Sequence, residues 1–235
     1  MTDKPLTGRL ALVTGASRGI GAATAEALAG QGAHVILVAR TAGGLEEVEE
    51  RIHKVGGSAT IAPLDLTDGE SIDRLANAIA GRWKALDVLV LNAAMLGTLA
   101  PVAAIDAKEF TQLFTLNVGS QAAMIAAFDP LLKASDRARV IGVSSSVAMN
   151  PRAYWGAYGA SKAALENLVL AYGQEVANIS AIRTAILNPG ATATKMRAKA
   201  FPGEDQAMLK SPDVVAEAIA KLVVEDFESG ERVSL

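Results

Sequence analysis

Short apolar runs alternate with helical patterns along the whole chain, and this alternation restricts the fold more than any other feature. The runs are mostly apolar, as strands buried on both faces are. Between them, apolar residues recur at spacings of three and four, as in Leu45, Val48 and Ile52, which is typical of a helix with one buried face. Strands that alternate with helices in this way form a parallel sheet with helices on both sides.

The sequence therefore predicts an α/β protein, a doubly wound, Rossmann-type three-layer sandwich in which residues 1–235 form a single domain. Seven strands are expected, at Arg9–Gly15, His34–Ala39, Ser58–Asp65, Asp87–Asn92, Arg139–Ser145, Ala181–Gly190 and Glu231–Leu235. Helices are expected at Gly19–Gln31, around Leu45–Val55, after a capping box of Thr67 and Glu70, near Asp106–Lys133 and Ala157–Asn178, and from Ser211 and Pro212 onward.

The composition argues against several classes of protein. The 235 residues are 51% hydrophobic with a net charge of -3, which suits a large core and complements a nucleic acid poorly. There is no cysteine, and His34 and His53 have no carboxylate company, so neither a disulfide nor a metal site is expected. No run reaches the roughly 18 apolar residues of a membrane span, and Lys4 and Pro5 stand where a secretory leader needs apolar residues. We therefore expect a soluble cytoplasmic protein without nucleic-acid or membrane partners.

Three glycines lie in the stretch "TGASRGIG", Thr14–Gly21, which joins the first strand to the first helix. Glycine lets the backbone turn tightly there and come close to a bound group. The start of the helix adds unpaired N–H groups and a positive dipole end, which suit a pyrophosphate. The spacing of Gly15 and Gly19 differs from G-x-G-x-x-G, so the turn predicts dinucleotide binding through a variant of that motif.

The stretch "YGASK" places Tyr158 and Lys162 four residues apart on a predicted helix, so both side chains leave the same face. An ammonium group near a phenol favours the phenolate. We therefore expect the pKa of Tyr158 to be lowered, so that it exchanges a proton near neutral pH. Ser145 ends the fifth strand, where a hydroxyl can donate to a carbonyl oxygen and stabilise its developing charge.

Together these motifs resemble the short-chain dehydrogenase/reductase family over nearly the whole chain. "TGASRGIG" is similar to the family's T-G-x-x-x-G-x-G fingerprint, and Ser145 precedes Tyr158 by the family's 13 residues. The resemblance implies a nicotinamide cofactor, a catalytic set of Ser145, Tyr158 and Lys162, and a role for Asn117 in holding a water that links the lysine to solvent. Ser146 remains an alternative to Ser145, because the family serine often directly precedes a Val-Ala pair.

The resemblance also assigns the cofactor contacts. The predicted cofactor-binding residues are Gly15, Ser17, Arg18, Gly19, Ile20, Gly21, Arg40, Asp65, Leu66, Asn92, Ala93, Ala94, Tyr158, Lys162, Pro189, Gly190 and Thr194. The second strand ends in Ala39 and Arg40, without the carboxylate that would bind the ribose of NAD or of a methyltransferase's S-adenosylmethionine. Arg40 and Arg18 suit a 2′-phosphate, so NADP(H) is predicted, with NAD as the alternative.

We therefore expect an NADP(H)-dependent oxidoreductase of the alcohol dehydrogenase or ketoreductase type that acts on a small carbonyl or alcohol. The alternative is a non-catalytic, dinucleotide-binding regulatory protein with the same fold. Substrate contacts are expected from residues 95–102, 148–156 and 195–208, the last as a short lid, with Met149, Tyr154 and Trp155 in an apolar wall. The two long helices favour a homo-oligomer, with a dimer preferred to a tetramer.

Overall fold

The computed structural model describes residues 4–235, so residues 1–3 of the predicted domain lie outside the described part. Within it the strands are β1 (Leu10–Thr14), β2 (His34–Ala39), β3 (Ser58–Pro63), β4 (Val88–Leu91), β5 (Arg139–Val143), β6 (Arg183–Asn188) and β7 (Glu231–Ser234). They form one parallel sheet in the order β3-β2-β1-β4-β5-β6-β7. The predicted α/β architecture is confirmed, and the strand order reverses direction between β1 and β4, where ligands of such sheets bind.

Helices cover both faces of this sheet. In the described residues they are α1 (Gly19–Gly30), α2 (Ala42–Lys54), α3 (Gly69–Ala80), α4 (Ala107–Phe114), α5 (Ser120–Lys133), α6 (Gly156–Val176), α7 (Lys195–Ala200) and α8 (Pro212–Val224). One apolar core lies between the sheet and α1, α2 and α8, and the other between the sheet and α3, α5 and α6. None of these helices is long and apolar enough to cross a membrane.

The first strand shows why its sequence is almost entirely apolar. Successive side chains of a strand point to opposite faces. Leu10 and Leu12 enter the core of α3, α5 and α6, whereas Ala11 and Val13 enter the core of α1, α2 and α8. Because both faces are covered, no position of β1 is left for a solvated side chain.

The predicted helix at Asp106–Lys133 is interrupted. Asp106 does begin it, since its carboxylate accepts a hydrogen bond from Glu109 N at 2.7 Å. Between α4 and α5, however, residues Thr115–Gly119 form a π-helical turn in which Asn117 is fully buried. Such turns insert one residue into a helix and occur frequently at functional sites. The expectation of one continuous α-helix is therefore wrong at this point.

The start of α3 also differs from the prediction. Asp68, rather than Thr67, caps the helix, because its carboxylate accepts a hydrogen bond from Glu70 N at 3.1 Å. The Thr67 hydroxyl donates instead to Asp65 Oδ1 at 2.8 Å. Aspartate and threonine are both good capping residues, and this contact with Asp65 engages the threonine in the turn after β3. The predicted capping box is wrong, although the helix forms.

The first turn of α1 packs directly against the turn that follows β1. A Cβ atom added to Gly21 would lie 2.3 Å from the Gly15 carbonyl oxygen and 2.6 Å from Asn92 Nδ2. The Asn92 amide donates to the Thr14 carbonyl at 2.8 Å, so it cannot move away without losing that bond. Only glycine fits at position 21.

We expect the same substitution to have opposite effects at two glycines. Gly21→Ala forces the turns apart and is expected to lower the free energy of unfolding by about 1–3 kcal/mol. Gly43→Ala lies in α2 with no atom within 4 Å of the added carbon, and it is expected to raise stability by about 0.5–1 kcal/mol. Urea unfolding of both variants checks this, and a neutral Gly21→Ala would contradict the packing described here.

Candidate active site

A cleft of about 850 Å³ lies at the carboxyl edge of the sheet, within the usual size range of ligand sites. Most of the residues predicted from the sequence border it. They are Gly15, Ser17, Arg18, Gly19, Ile20, Arg40, Asp65, Leu66, Asn92, Ala93, Ala94, Ser145, Tyr158, Lys162, Pro189, Gly190 and Thr194. Gly21 and Asn117 do not line the cleft, but each contacts residues that do.

The turn after β1 presents main-chain groups to the cleft. Gly15 and Gly19 have φ values of 66° and 57°, in the left-handed region that favours glycine. Arg18 precedes α1 with an extended backbone, and its side chain does not cap the helix. The N–H groups of the first turn therefore remain available to a ligand. Gly21 supports this turn by close packing rather than by bordering the cleft.

Two arginines make one end of the cleft basic. Arg18 and Arg40 are both exposed at its border, and neither takes part in an ion pair within residues 4–235. Asp65 lies at the same end. Hydrogen bonds from Thr67 lower the pKa of Asp65, and the positive charge of Arg40 lowers it further. This end of the cleft suits a ligand that carries several negative charges.

Tyr158 and Lys162 lie on one face of α6, as their spacing predicts. Lys162 is buried, and its Nζ atom donates to the Val143 carbonyl at 2.8 Å. The same nitrogen lies 5.8 Å from the centroid of the Tyr158 ring. Burial lowers the pKa of Lys162 to about 8, and the negative charge of Glu166 opposes that shift. The lysine therefore titrates much closer to neutrality than an exposed lysine does.

The environment of Tyr158 corrects one expectation. Burial raises the pKa of Tyr158 above its ordinary value, because a phenolate there would be out of water. The expected lowering of this pKa is wrong for this structure, because the effect of burial prevails. The Tyr158 hydroxyl contacts Met196 Sδ at 3.8 Å. The phenol is thus held in its neutral form, which can donate a proton.

The three consecutive serines after β5 have different surroundings. Ser144 is buried, and its hydroxyl donates to Glu166 Oε1 at 2.5 Å. Ser145 borders the cleft in an extended conformation. Ser146 is exposed, begins a short 3₁₀ turn and does not line the cleft. Of the two candidate serines, Ser145 is the one that borders the same cleft as Tyr158 and Lys162.

Asn117 holds the loop after β4 from inside the protein. Its Oδ1 atom accepts a hydrogen bond from Met95 N at 2.8 Å, and its Nδ2 atom donates to the Met95 carbonyl at 2.9 Å. Nδ2 also donates to Ser161 Oγ at 3.0 Å. Asn117 is therefore not an exposed helix residue. It fixes Met95, which borders the cleft, against α6 next to Lys162.

The end of the cleft beyond Tyr158 is apolar. Trp155 packs edge-on against Tyr158, with 5.9 Å between ring centroids, and stacks on Phe201 at 5.6 Å. Trp155 therefore belongs to the predicted apolar wall. Met149 and Tyr154, which were expected in the same wall, are exposed and do not border the cleft.

The predicted lid is ordered by its own contacts. Thr194 caps α7 by accepting a hydrogen bond from Arg197 N at 3.1 Å. The Arg197 guanidinium lies 3.7 Å from the Phe201 ring centroid and binds both Glu204 oxygens at 2.5 Å. These contacts hold α7 at the border of the cleft, where Met196 contacts the Tyr158 hydroxyl.

One residue of the site, Glu166, was missed by sequence reasoning. Met196 belongs to the predicted lid of residues 195–208, although its contact with the Tyr158 hydroxyl has no local signature in the sequence. Glu166 lies four residues beyond Lys162, and its carboxylate is buried against Ser144. Positions 158, 162 and 166 share one helix face, so helical spacing could have identified Glu166.

The two histidines show no sign of metal binding. Within residues 4–235, no group of three or more His, Cys, Asp or Glu side chains is placed to hold a metal ion. The two ring nitrogens of His34 hydrogen-bond with Ser58 Oγ at 3.0 Å and Thr60 Oγ1 at 2.9 Å. The ring therefore joins β2 to β3.

Comparison with known proteins identifies the family of this chain. The family model for short chain dehydrogenases matches residues 9–205. The chain belongs to the short-chain dehydrogenase family. Among the relatives of this short-chain dehydrogenase is the uncharacterized oxidoreductase YciK of Escherichia coli strain K12. It is 37% identical over 210 residues, which cover 88% of this chain and 82% of YciK. The family resemblance inferred from the motifs is thus confirmed.

Solved short-chain dehydrogenases have the same fold. One from Escherichia coli CFT073, in complex with NADPH, superimposes with a TM-score of 0.94 at 35% identity and covers 100% of this chain and 99% of its own. Another, from Shigella flexneri 2a strain 301 in complex with NADP, has a TM-score of 0.94 at 34% identity and covers 99% of both chains.

Replacing Lys162 with Met is expected to stabilise the fold at neutral pH. Below pH 8 the lysine is charged in both the folded and the unfolded state, and burial of that charge destabilises the folded state fully. Between the folded pKa of about 8 and the ordinary value of 10.5 the folded protein loses this proton first, so the destabilisation disappears as the pH rises. Lys162→Met is therefore expected to raise the free energy of unfolding at pH 7 by about 1–3 kcal/mol.

Urea unfolding at pH 7 and at pH 10 measures this gain, which is expected to be smaller at the higher pH. The exposed Lys84 provides the control, since Lys84→Met removes a solvated charge and is expected to give no pH-dependent gain. An equal gain for Lys162→Met at both pH values would show that charge burial is not the cause.

Proposed function

We propose that this short-chain dehydrogenase is an NADP(H)-dependent oxidoreductase that transfers hydride between the nicotinamide and a carbonyl or alcohol substrate, with Tyr158 as general acid and base. One observation carries the proposal. Tyr158 and Lys162 from α6 and Ser145 from the end of β5 border a single cleft, whose other end is formed by the glycine turn and Arg18. A proton donor and an oxyanion donor therefore share a cavity with a phosphate-binding turn.

The residues present fit a phosphorylated dinucleotide. The available N–H groups at the start of α1 suit a pyrophosphate, and Arg18 and Arg40 suit a 2′-phosphate. At the end of β2 stands Ala39, so this position lacks the carboxylate that would repel that phosphate. The neighbours crystallised with NADPH and NADP support the same cofactor here. When bound, the nicotinamide supplies or accepts the hydride.

The side chains of the cleft handle the proton and the substrate oxygen. Ser145 donates a hydrogen bond to that oxygen and stabilises its negative charge. Tyr158, kept neutral by burial, gives its proton to the oxygen during reduction and removes it during oxidation. The resulting phenolate is stabilised by the Lys162 ammonium, which lies 5.8 Å from the ring centroid.

Asn117 supports this arrangement from behind. It anchors Met95 and, through Ser161, the turn of α6 that carries Lys162. We propose that this position completes the proton route from Lys162 to solvent, as the family resemblance implies. Trp155 and Met196 favour a substrate with an apolar group beside its carbonyl, because they form the wall next to Tyr158.

The remaining expectations also belong to the proposal. A homodimer is expected to form through the long helices, which the structure shows as α4, the π-helical turn and α5, together with α6. A cytoplasmic location likewise stays a prediction. Neither affects the roles assigned to the residues of the cleft.

Replacing Tyr158 with Phe removes the proton donor and leaves the ring in place. Turnover of a reducible carbonyl, followed by NADPH absorbance, is expected to fall by about 10²–10⁴-fold, while NADPH binding measured by calorimetry stays nearly unchanged. Tyr172→Phe is the matched control. It lies on the same helix and loses only a hydrogen bond to Asp129 away from the cleft, so it is expected to retain turnover.

Turnover that survives in Tyr158→Phe would show that another group is the acid. Wild-type protein that binds NADPH but reduces none of a broad panel of carbonyls would favour the non-catalytic, dinucleotide-binding alternative.

The cofactor preference is expected to depend on the basic end of the cleft. Arg40→Ala removes a guanidinium from the 2′-phosphate and is expected to weaken NADPH binding by about tenfold or more, with little effect on NADH. Ala39→Asp introduces a carboxylate for the ribose and is expected to shift the preference toward NADH. Arg74→Ala, an exposed change on α3 outside the cleft, is the control. Unchanged selectivity in Ala39→Asp would contradict the placement of the ribose.

A further inference from the structure

Glu166 is a buried carboxylate that the proposed reaction does not use. Only 5% of its side chain is exposed. Its Oε1 atom accepts a hydrogen bond from Ser144 Oγ at 2.5 Å, and Arg232 Nη1 donates to its Oε2 atom at 2.5 Å. A buried carboxylate needs such partners because it has lost its hydration. Glu166 thereby joins α6 to β5 through Ser144 and to β7 through Arg232.

Both the position and the charge of Glu166 act on groups of the cleft. Ser144 lies between Val143, whose carbonyl accepts the Lys162 hydrogen bond, and Ser145, which borders the cleft. Holding the Ser144 side chain therefore holds the end of β5 that presents both groups. Glu166 also lies one helical turn from Lys162, and its negative charge favours the ammonium form.

Arg232 forms an ion pair with Glu166. Its side chain is 44% exposed on the edge strand β7, and its positive charge lies against the carboxylate. The other groups that pack near Lys162 are uncharged. They are the Val143 carbonyl of β5, the neutral Tyr158 of α6, and Asn117 of the π-helical turn, which reaches α6 through Ser161. In the described part of the chain, Glu166 is thus the charge that acts on Lys162, and Arg232 is the partner of that charge.

We propose that Glu166 is a positioning residue of the active site, which holds the end of β5 through Ser144 and places a negative charge one helical turn from Lys162, and that its ion pair with Arg232 limits the effect of that charge. The consequence for catalysis rests on the proposed function. The consequence for the charge of Lys162 does not, so the two are tested separately.

Two variants give opposite expected shifts. Glu166→Gln keeps an acceptor for Ser144 and removes the negative charge, so the pKa of Lys162 is expected to fall by about one unit. Arg232→Met keeps the carboxylate and removes the opposing charge, so the pKa of Lys162 is expected to rise by a similar amount. If the contacts of Glu166 with Ser144 and Arg232 only held the elements together, the two substitutions would not shift the pKa of Lys162 in opposite directions.

The first readout needs no activity. The free energy of unfolding is measured from pH 6 to 11 for each variant with and without Lys162→Met, and the difference gives the titration of Lys162. The second readout is the pH dependence of kcat for carbonyl reduction with NADPH, on the side of the profile where kcat changes at basic pH. Glu26→Gln, which breaks the surface ion pair of Glu26 with Arg51, is the matched control and is expected to shift neither.

Opposite shifts in Glu166→Gln and Arg232→Met support the proposal, and shifts of one sign or none overturn it. Arg232 is half-exposed on an edge strand, so Arg232→Met is expected to fold. If Glu166→Gln fails to fold, Arg232→Met alone still tests the direction of the pKa shift of Lys162. If the unfolding data show opposite shifts and the kcat profile does not follow, Glu166 does govern Lys162, and the catalytic role given to Lys162 is what fails.

Discussion

The ammonium group of Lys162 lies out of water inside the protein, and the active-site end of the molecule is arranged around it. A charge in that place is stable only where nearby groups compensate for its lost hydration. The Val143 carbonyl accepts its hydrogen bond, and Glu166 adds an opposing charge one helical turn away. Helix α6 is therefore fixed to β5 at this point, and the same junction brings Tyr158 and Ser145 to the cleft.

The parallel sheet determines where the contact between α6 and β5 can form part of a ligand-binding cleft. Because all strands run in one direction, the loops at their carboxyl ends meet at one edge. Thr14 joins two of these loops, since its hydroxyl oxygen accepts hydrogen bonds from the N–H groups of Asn92 and Ala93. The basic end at Arg18 and the apolar end at Trp155 consequently belong to one cleft.

The sequence predicts an element correctly where neighbouring residues decide its structure. The prediction fails where a contact with a residue outside the element decides it. Four of the five residues of β1 are apolar because both faces are buried, so the apolar run identifies the strand. At the start of α3, Thr67 and Asp68 are adjacent capping residues, and only the contact of Thr67 with Asp65 selects between them. The π-helical turn at Asn117 likewise depends on Met95 and Ser161, which lie on other elements.

The sequence by itself determined the strand and helix order, the glycine turn and the shared helix face of Tyr158 and Lys162, because these follow from periodicity and backbone freedom. The tertiary structure decided the rest. The depth at which Tyr158 is buried sets the direction of its pKa shift, and the partners of Glu166 come from strands remote from it in the chain. Burial and long-range contacts have no local signature, since they arise only when separate segments pack together.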